Sequence, residues 1–507
     1  MKKTGITLTL VAAGVAAVSG GGKTEPLLQS TPYPAGVVEQ TELTVPPNGP
    51  RVTVEVLAKK EITKEPKLQT RTPSEAELID ALRRTSSFGS RIREVSGSSQ
   101  TSAHAIDKLE DDYDYKAETI PPFVGKALDW LAQAQHDDGS WGAGTSSRQQ
   151  VRDPHAVKGD PATTAFSAMA FLRSGHTPKK GKYKNVVRRA TESLVKVVEA
   201  SPDEGPRITD RTGTQPQAKM GAYVDTSLTA RFLARVLKEL PKKDKLRVRV
   251  DKAIDKCIAK IQSSQQKDGS WKGGGWAPVL QSSLAGQALE IAQAAGKQVD
   301  QKALDLARRN QKDNFDANSG KARADAAAGV ELYAFAGAQR ASAAETWEAN
   351  DLLDKAKKEG KLDKDAKPTA ENLRKIGVQE GKAEQLAEAV EQNERQQKRV
   401  QNDNALLTGF GNNGGEEYLS YLMTSESLVI TGGEAWKNWD EKMHRRLRKI
   451  QSANGSWTGH HCITSPVFCT AAVVQCLNTY RDAGMLRDAA LAASAKKKDG
   501  DQVAKKK

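Results

Sequence analysis

The segment Trp457-Thr-Gly-His-His-Cys-Ile-Thr-Ser-Pro-Val-Phe-Cys gathers His460, His461, Cys462 and Cys469 within ten residues of a 507-residue chain. Imidazole nitrogen and thiolate sulfur are the donors zinc favours in tetrahedral sites. The spacing matches no standard four-ligand motif, so zinc is one of three readings. A Cys462–Cys469 disulfide is the second, in an oxidising compartment. The third is a loop whose histidines are surface groups and whose cysteines pack. Cys476 follows in the same final stretch, and Cys257 reads as a small core residue on a helix. A second chemical set is acidic: Asp160, Asp225, Asp325, Glu416 and Glu417 stand near the starts of helix-like stretches. Two carboxylates facing a cleft would suit glycoside hydrolysis, whereas acids in a first helical turn are also ordinary caps.

These residues need a scaffold, and the chain announces one by repetition. Gln-Ala-Gln-His-Asp-Asp-Gly-Ser-Trp at 133–141, Gln-Ser-Ser-Gln-Gln-Lys-Asp-Gly-Ser-Trp at 262–271 and Gln-Ser-Ala-Asn-Gly-Ser-Trp at 451–457 end three helix-like stretches alike. Asp-Gly and Asn-Gly tolerate positive φ and turn the chain. Trp141 and Trp271 are 130 residues apart, or two units of about 65. Trp457 follows after two more units and an extra segment of roughly 60 residues. Apolar residues at three- and four-residue spacing predict two helix series. One spans 122–136, 184–199, 249–266, 301–311 and 434–452; its charged faces suit an outer ring. The other spans 161–174, 222–239, 279–295, 325–339, 417–430 and 466–480; rich in Ala, Ser and Thr, it suits an inner ring. The expected fold is all-α, an (α/α)6 toroid, with an open solenoid of helix pairs as the alternative.

The recurring Asp/Asn-Gly-Ser-Trp segments resemble those of the terpenoid cyclase and protein prenyltransferase superfamily over roughly 121–341 and 406–482. The resemblance implies the (α/α)6 toroid, with the motif's Gln and Trp tying one outer helix to a neighbour. It chooses no chemistry, because squalene cyclases, prenyltransferase β subunits and thioester domains share the fold. Prenyltransferases hold zinc at the starts of two inner helices. Gly415-Glu-Glu-Tyr418 resembles the first, with Glu417 in a ligand place and Tyr418 matching, and Val467-Phe-Cys-Thr470 resembles the second, with Cys469 in a ligand place. The implied metal set is His460, His461, Cys462, Cys469 and Glu417, and the implied cofactor is zinc. Where those enzymes carry basic residues for diphosphate, this chain has Thr408-Gly-Phe-Gly-Asn-Asn-Gly-Gly. It lacks Asp-x-Asp-Asp on an expected inner helix, since Asp111-Asp-Tyr-Asp falls outside them, and no cysteine begins Cys-Gly-Glu-Gln.

In a closed toroid the inner helices run parallel and their N-termini, which favour anions, share one mouth. Tyr223, Asp225, Trp276 and Tyr418 are the expected ligand-facing residues there. Lys219, Arg152, Arg211, His460 and His461 stand among the basic loop residues around it. A ligand with an anionic head and an apolar body, a lipid or isoprenoid, would suit such a cavity; the net charge of +14 also suits an anionic polymer. No basic run interleaved with aromatic residues points to nucleic acid. Lys2, Lys3, the apolar run Ile6–Val18 and small residues before Gly20 read as a signal peptide at 1–19, and hence export. Residues 20–120 read as a mostly disordered linker with one strand-like run at 51–57. The segment 342–405 reads as a charged insertion without a core-forming face, and 483–507 as a basic disordered tail. The expected role is an exported binding or scaffold protein, with a zinc- or carboxylate-dependent enzyme as the alternative.

Overall fold

Six helices with one buried stripe alternate along the chain with six buried on nearly every face, and that alternation builds the fold. The computed structural model describes residues 120–495, with side chains to 492, and four short strands before them. The striped helices are α1 (Pro122–Gln133), α3 (Lys184–Ala200), α5 (Lys245–Ser263), α7 (Gln301–Lys312), α9 (Glu380–Asn402) and α11 (Gly433–Lys449). The buried ones are α2 (Pro161–Arg173), α4 (Val224–Leu237), α6 (Pro278–Ala294), α8 (Glu331–Lys358), α10 (Gly415–Thr431) and α12 (Pro466–Leu477). Proline, whose fixed φ and missing N–H suit a first turn, opens α1, α2, α6 and α12. Aspartates cap α2, α5 and α7.

The buried helices pack in the order α2, α4, α6, α8, α10, α12 and back to α2, so the ring closes. Phe166 and Phe468 stack at 4.6 Å across the closing seam, where Gln475 Nε2 also donates to the Phe166 carbonyl at 2.9 Å. The fold is the expected (α/α)6 toroid, and both helix series lie where the periodicity places them.

The repeated motif does one job three times. Trp141, Trp271 and Trp457 are buried, and each indole N–H donates to the carbonyl ten residues earlier at 2.8–2.9 Å. Gln135, Gln265 and Gln451 each reach the start of the next motif-linked outer helix, at the carbonyls of Val186, Ala303 and Phe123. Between them the Gly occupies positive φ, where Ser140, Ser270 and Ser456 bond back to Asp138, Asp268 and Asn454.

Four sequence expectations need correction. The boundary at 341/342 falls inside α8, and α9 is the sixth outer helix, packed on α8. Its Ala383, Leu386 and Val390 join Ala349, Leu353 and Leu373 in a small core, so 342–405 does have a core-forming face. Trp271 to Trp457 therefore spans three units rather than two and an insertion. Residues 483–495 of the expected tail form α13 (Ala483–Ala495), which packs on α6, α8 and α10 through buried Leu486, Ala489 and Ala490. Arg487 there donates to the carbonyls of Val429 and Ile430 at the end of α10.

The N-terminal unit, residues 1–114, is described only by its strands. β1 (Ile6–Val11), β2 (Val15–Gly20), β3 (Glu39–Leu43) and β4 (Val52–Val56) form one sheet in the order β2-β1-β4-β3. The strand-like run is β4, and β1 and β2 occupy the apolar run read as a targeting segment. The remainder of the expected signal peptide and linker, and residues 496–507, lie outside the described residues. No described helix is long and apolar enough to cross a membrane.

Candidate functional site

The barrel axis is occupied by charge. Glu426 on α10 pairs with Arg173 of α2 at 2.7 Å, with Arg231 of α4, and with Arg340 of α8 at 3.8 Å. Arg340 and Arg308 share Glu290 of α6 at 2.7 and 3.3 Å. Arg173 and Arg235 share Asp482, each at 3.0 Å. The expected apolar cavity is thus replaced at this level by a desolvated ion-pair network.

At the mouth, the positive helix starts are answered from within the protein. Asp160 caps α2 and accepts the backbone N–H groups of Thr163 and Ala143. Asp225 begins α4, is 1% exposed, and accepts from Ala162 N at 3.1 Å and Gln217 Nε2 at 2.6 Å. Burial and the Asp160 charge push its carboxyl up to about 7. Both acids are satisfied within the protein, which corrects Asp225 as a ligand-facing residue. Tyr418 is also corrected: it is 2% exposed and packs edge-to-face on Tyr421. Tyr223 is half-buried beside Gly273, and Trp276 is 67% exposed.

One corner of the mouth differs in kind. Glu416 and Glu417 open α10, held by a glycine-rich loop that no side chain could replace at two points. Gly409 has φ +56°, and a Cβ there would lie 2.5 Å from the Glu417 carboxylate. A Cβ on Gly415 would lie 2.6 Å from Ile463. Glu417 accepts from Gly414 N at 2.7 Å and from the Tyr333 hydroxyl. Glu416 faces the loop 460–465: its Oε1 is 3.2 Å from His461 Nδ1 and 3.3 Å from Lys219 Nζ. Lys219 Nζ also lies 3.6 Å from Cys462 Sγ and 4.9 Å from the centre of the Tyr333 ring. His461 Nε2 meets the Asn412 carbonyl at 2.6 Å.

The corner pairs two cations with two carboxylates. Burial works against a charged His461, yet the Cys462 and Glu416 side chains against its ring, the Glu417 charge and the Asn412 carbonyl push it up to about 11. Burial likewise works against the Glu416 anion, but His461 and Lys219 hold it below the usual carboxylate range. Burial and Glu416 together raise Glu417. The linkage sign follows. A raised His461 stabilises fully below its unfolded value of about 6.5 and loses that contribution as pH climbs toward 11. Urea midpoints measured from pH 7 to 11 should therefore fall more gently in His461→Gln than in the wild type; parallel slopes would contradict this.

Of the sequence-chosen metal set, the structure brings only His461 and Cys462 together with Glu416, their ligand atoms all within 4.8 Å of one another. The other three do not join that group. Glu417 is spent on the α10 start and Tyr333. His460 is exposed and outside that group, its backbone N–H bonded to the Asn413 carbonyl. Cys469 is buried and donates to the Ile463 carbonyl at 3.5 Å, and burial, then Glu416, raises its thiol well above the ordinary value. Cys462 and Cys469 are free thiols. Lys219 stands among the basic residues expected at the mouth, but Tyr333, central to the corner, carries no local sequence signal for this role. A separate polar groove of about 500 Å³ lies beside the first motif, lined by residues including His136, Asp138, His155 and Arg211, none of which belongs to the corner.

No family model and no curated protein matches the chain. Among solved structures it is similar to an inactive variant of an alpha-1,6-mannanase of Salegentibacter sp. in complex with alpha-1,6-mannotriose, at 10% identity and a TM-score of 0.44, over 71% of this chain and 98% of that one. It is also similar to the type II terpene cyclase MstE from Scytonema, at 12% identity and a TM-score of 0.29, over 73% of this chain and 100% of that one. Neither likeness assigns a ligand to this chain.

Proposed function

We propose that this is an exported binding protein that takes an anionic ligand with an apolar body at the His461–Cys462 corner of the toroid mouth. The carrying observation is what the corner shows to solvent. Glu416 and Glu417 are fully buried, while His461 and Cys462 remain half-buried, with His460 and Arg152 beside them. The charge this face presents is the half-buried His461 imidazolium, and an exposed aromatic ring adjoins it. Phe410, 63% exposed, lies 5.4 Å from the His461 ring. Trp276, 67% exposed, is joined to the short helix that carries Lys219 by its backbone N–H bond to the Ala218 carbonyl. A head group on the imidazolium with its body across Phe410 and Trp276 uses both features. Export rests on Lys2, Lys3 and the apolar run Ile6–Val18.

Calorimetric titration with dodecyl phosphate, below its micellar concentration, checks the binding reading. His461→Gln should weaken it about 10-fold or more, as expected for a lost charge-assisted bond. Phe410→Ala should weaken it several-fold, roughly the burial of one ring face. Equal affinity in all three proteins would remove the corner from the account.

One observation favours a second reading, a zinc-type site. Glu416 Oε1 and His461 Nδ1 are buried, 3.2 Å apart, and neither completes an aligned hydrogen bond. The carbonyl at Nε2 orients the ring as a supporting partner does for a metal-bound histidine. Glu416, His461 and Cys462 would hold the ion, which when bound supplies Lewis acidity. The ion must displace Lys219 Nζ from the same corner. Elemental analysis should then find about one zinc per chain, lost in Cys462→Ala; zinc-free protein after purification in zinc-supplemented buffer ends this reading.

A further inference from the structure

The geometry points to Cys462 as a peroxide-sensitive modification site whose oxidised sulfur closes onto Lys219, joining the two residues by a sulfenamide bond across the mouth. Three of the four cysteines are buried in helices; Cys462 alone is half-buried and lies at the mouth, on a backbone with φ +49°. Its sulfur is 3.6 Å from Lys219 Nζ, although 243 residues separate the two in the chain. Lys219 is 3% exposed and fixed over the Tyr333 ring, so its amine stays beside the thiol rather than ranging through solvent. Independently of the cysteine, Glu416 Oε1, on a fully buried side chain, points into this gap 3.3 Å from Nζ without an aligned hydrogen bond. It holds the amine beside the thiol.

The chemistry needs hydrogen peroxide as oxidant and nothing further. The Cys462 sulfur attacks one peroxide oxygen, the O–O bond breaks, and the departing hydroxide leaves as water with the thiol proton, giving the sulfenic acid. Lys219 releases one ammonium proton to water at the mouth. Its nitrogen lone pair attacks the sulfenyl sulfur, the S–N bond forms, the S–O bond breaks, and hydroxide leaves as water with a second amine proton. The product removes one positive charge from the corner, leaving Glu416 and Glu417 opposed by His461 alone. It ties the short helix Gln215–Met220 to the loop that precedes α12. The link forms whether or not an anionic ligand binds, so its failure and that of the binding reading are separate results.

The test is peptide mapping of the full-length protein after hydrogen peroxide treatment, thiol blocking and non-reducing digestion. The expected product is the Lys219 peptide joined to the Cys462 peptide, about 2 Da lighter than their sum and released by dithiothreitol. Lys219→Arg, which keeps the charge, should abolish the link and raise dimedone-trapped sulfenic acid at Cys462 several-fold. Oxidised Cys462 without the Lys219 peptide, a Cys462–Cys469 disulfide, or an unreacted Cys462 would each overturn the proposal. The wild-type map decides even if the variant folds poorly.

Discussion

Glu426→Ala should be the most damaging single substitution in the toroid, costing about 3–5 kcal/mol or abolishing soluble protein. The cost is not the loss of one attraction but the guanidinium groups left in the dry interior. Arg173 keeps Asp482 and Arg340 keeps Glu290. Arg231 keeps nothing comparable: it is 2% exposed, and its Nε and Nη1 already lack hydrogen-bond partners. Burial opposes the Glu426 anion, yet Arg231, Arg173 and Arg340 hold its carboxyl down at about 2. Its stabilising contribution is therefore complete above the ordinary value near 4.5 and lost as pH falls toward 2. Urea unfolding followed by circular dichroism reads the loss. Glu426→Leu combined with Arg231→Leu should recover much of it, because an apolar pair can replace a buried ion pair at little cost. A change below about 1 kcal/mol in Glu426→Ala would show that the network is hydrated and weak.

Trp457→Ala should cost about 3–5 kcal/mol, the range for truncating a buried aromatic side chain. Its indole fills the seam between the last and first units, where Phe123 of α1 meets it edge-on at 6.4 Å. It also bonds Leu447 at the end of α11 at 2.8 Å, and its backbone N–H meets Thr470 of α12 at 2.9 Å. Gln451→Ala, which removes the side-chain donor to the Phe123 and Gly455 carbonyls, should cost about 0.5–1.5 kcal/mol. Thermal melts of the two variants check the order: Trp457→Ala falls further than Gln451→Ala. Near-wild-type melting of Trp457→Ala would mean that the ring does not depend on its motif for closure.

The motif and the two helix periods made the toroid legible, because an outer helix betrays itself by a charged face opposite its stripe and an inner one by Ala, Ser and Thr with few charges. α9 escaped because its stripe is thin. Ala383, Leu386 and Val390 are its apolar anchors, and Gln392, Asn393 and Gln396 continue the buried face with polar groups. A helix buried through amides looks solvated in a hydropathy pattern. α13 escaped for the opposite reason: 483–495 sits next to a lysine-rich end, and only its packing on α6, α8 and α10 distinguishes it.

The candidate corner was half legible. His461 and Cys462 stand out locally, but Lys219 and Tyr333 reach them from far along the chain. Glu416 and Glu417 show the limit of register. Neighbours on a helix point about 100° apart, so choosing the acid that caps the helix rather than the one that faces His461 changes the whole ligand set. Cys469 has the correct chemistry and the wrong side of α12: its sulfur turns inward to the Ile463 carbonyl.

The ring-nitrogen resonances of His461, followed while dodecyl phosphate is added to the full chain, test the binding site most directly. The expected result is an imidazolium whose 15N signals shift saturably, with inorganic phosphate causing a weaker shift because it lacks a body to cover Phe410 and Trp276. Saturable binding that leaves the His461 signals unmoved would place the ligand elsewhere and contradict the mouth corner as the site.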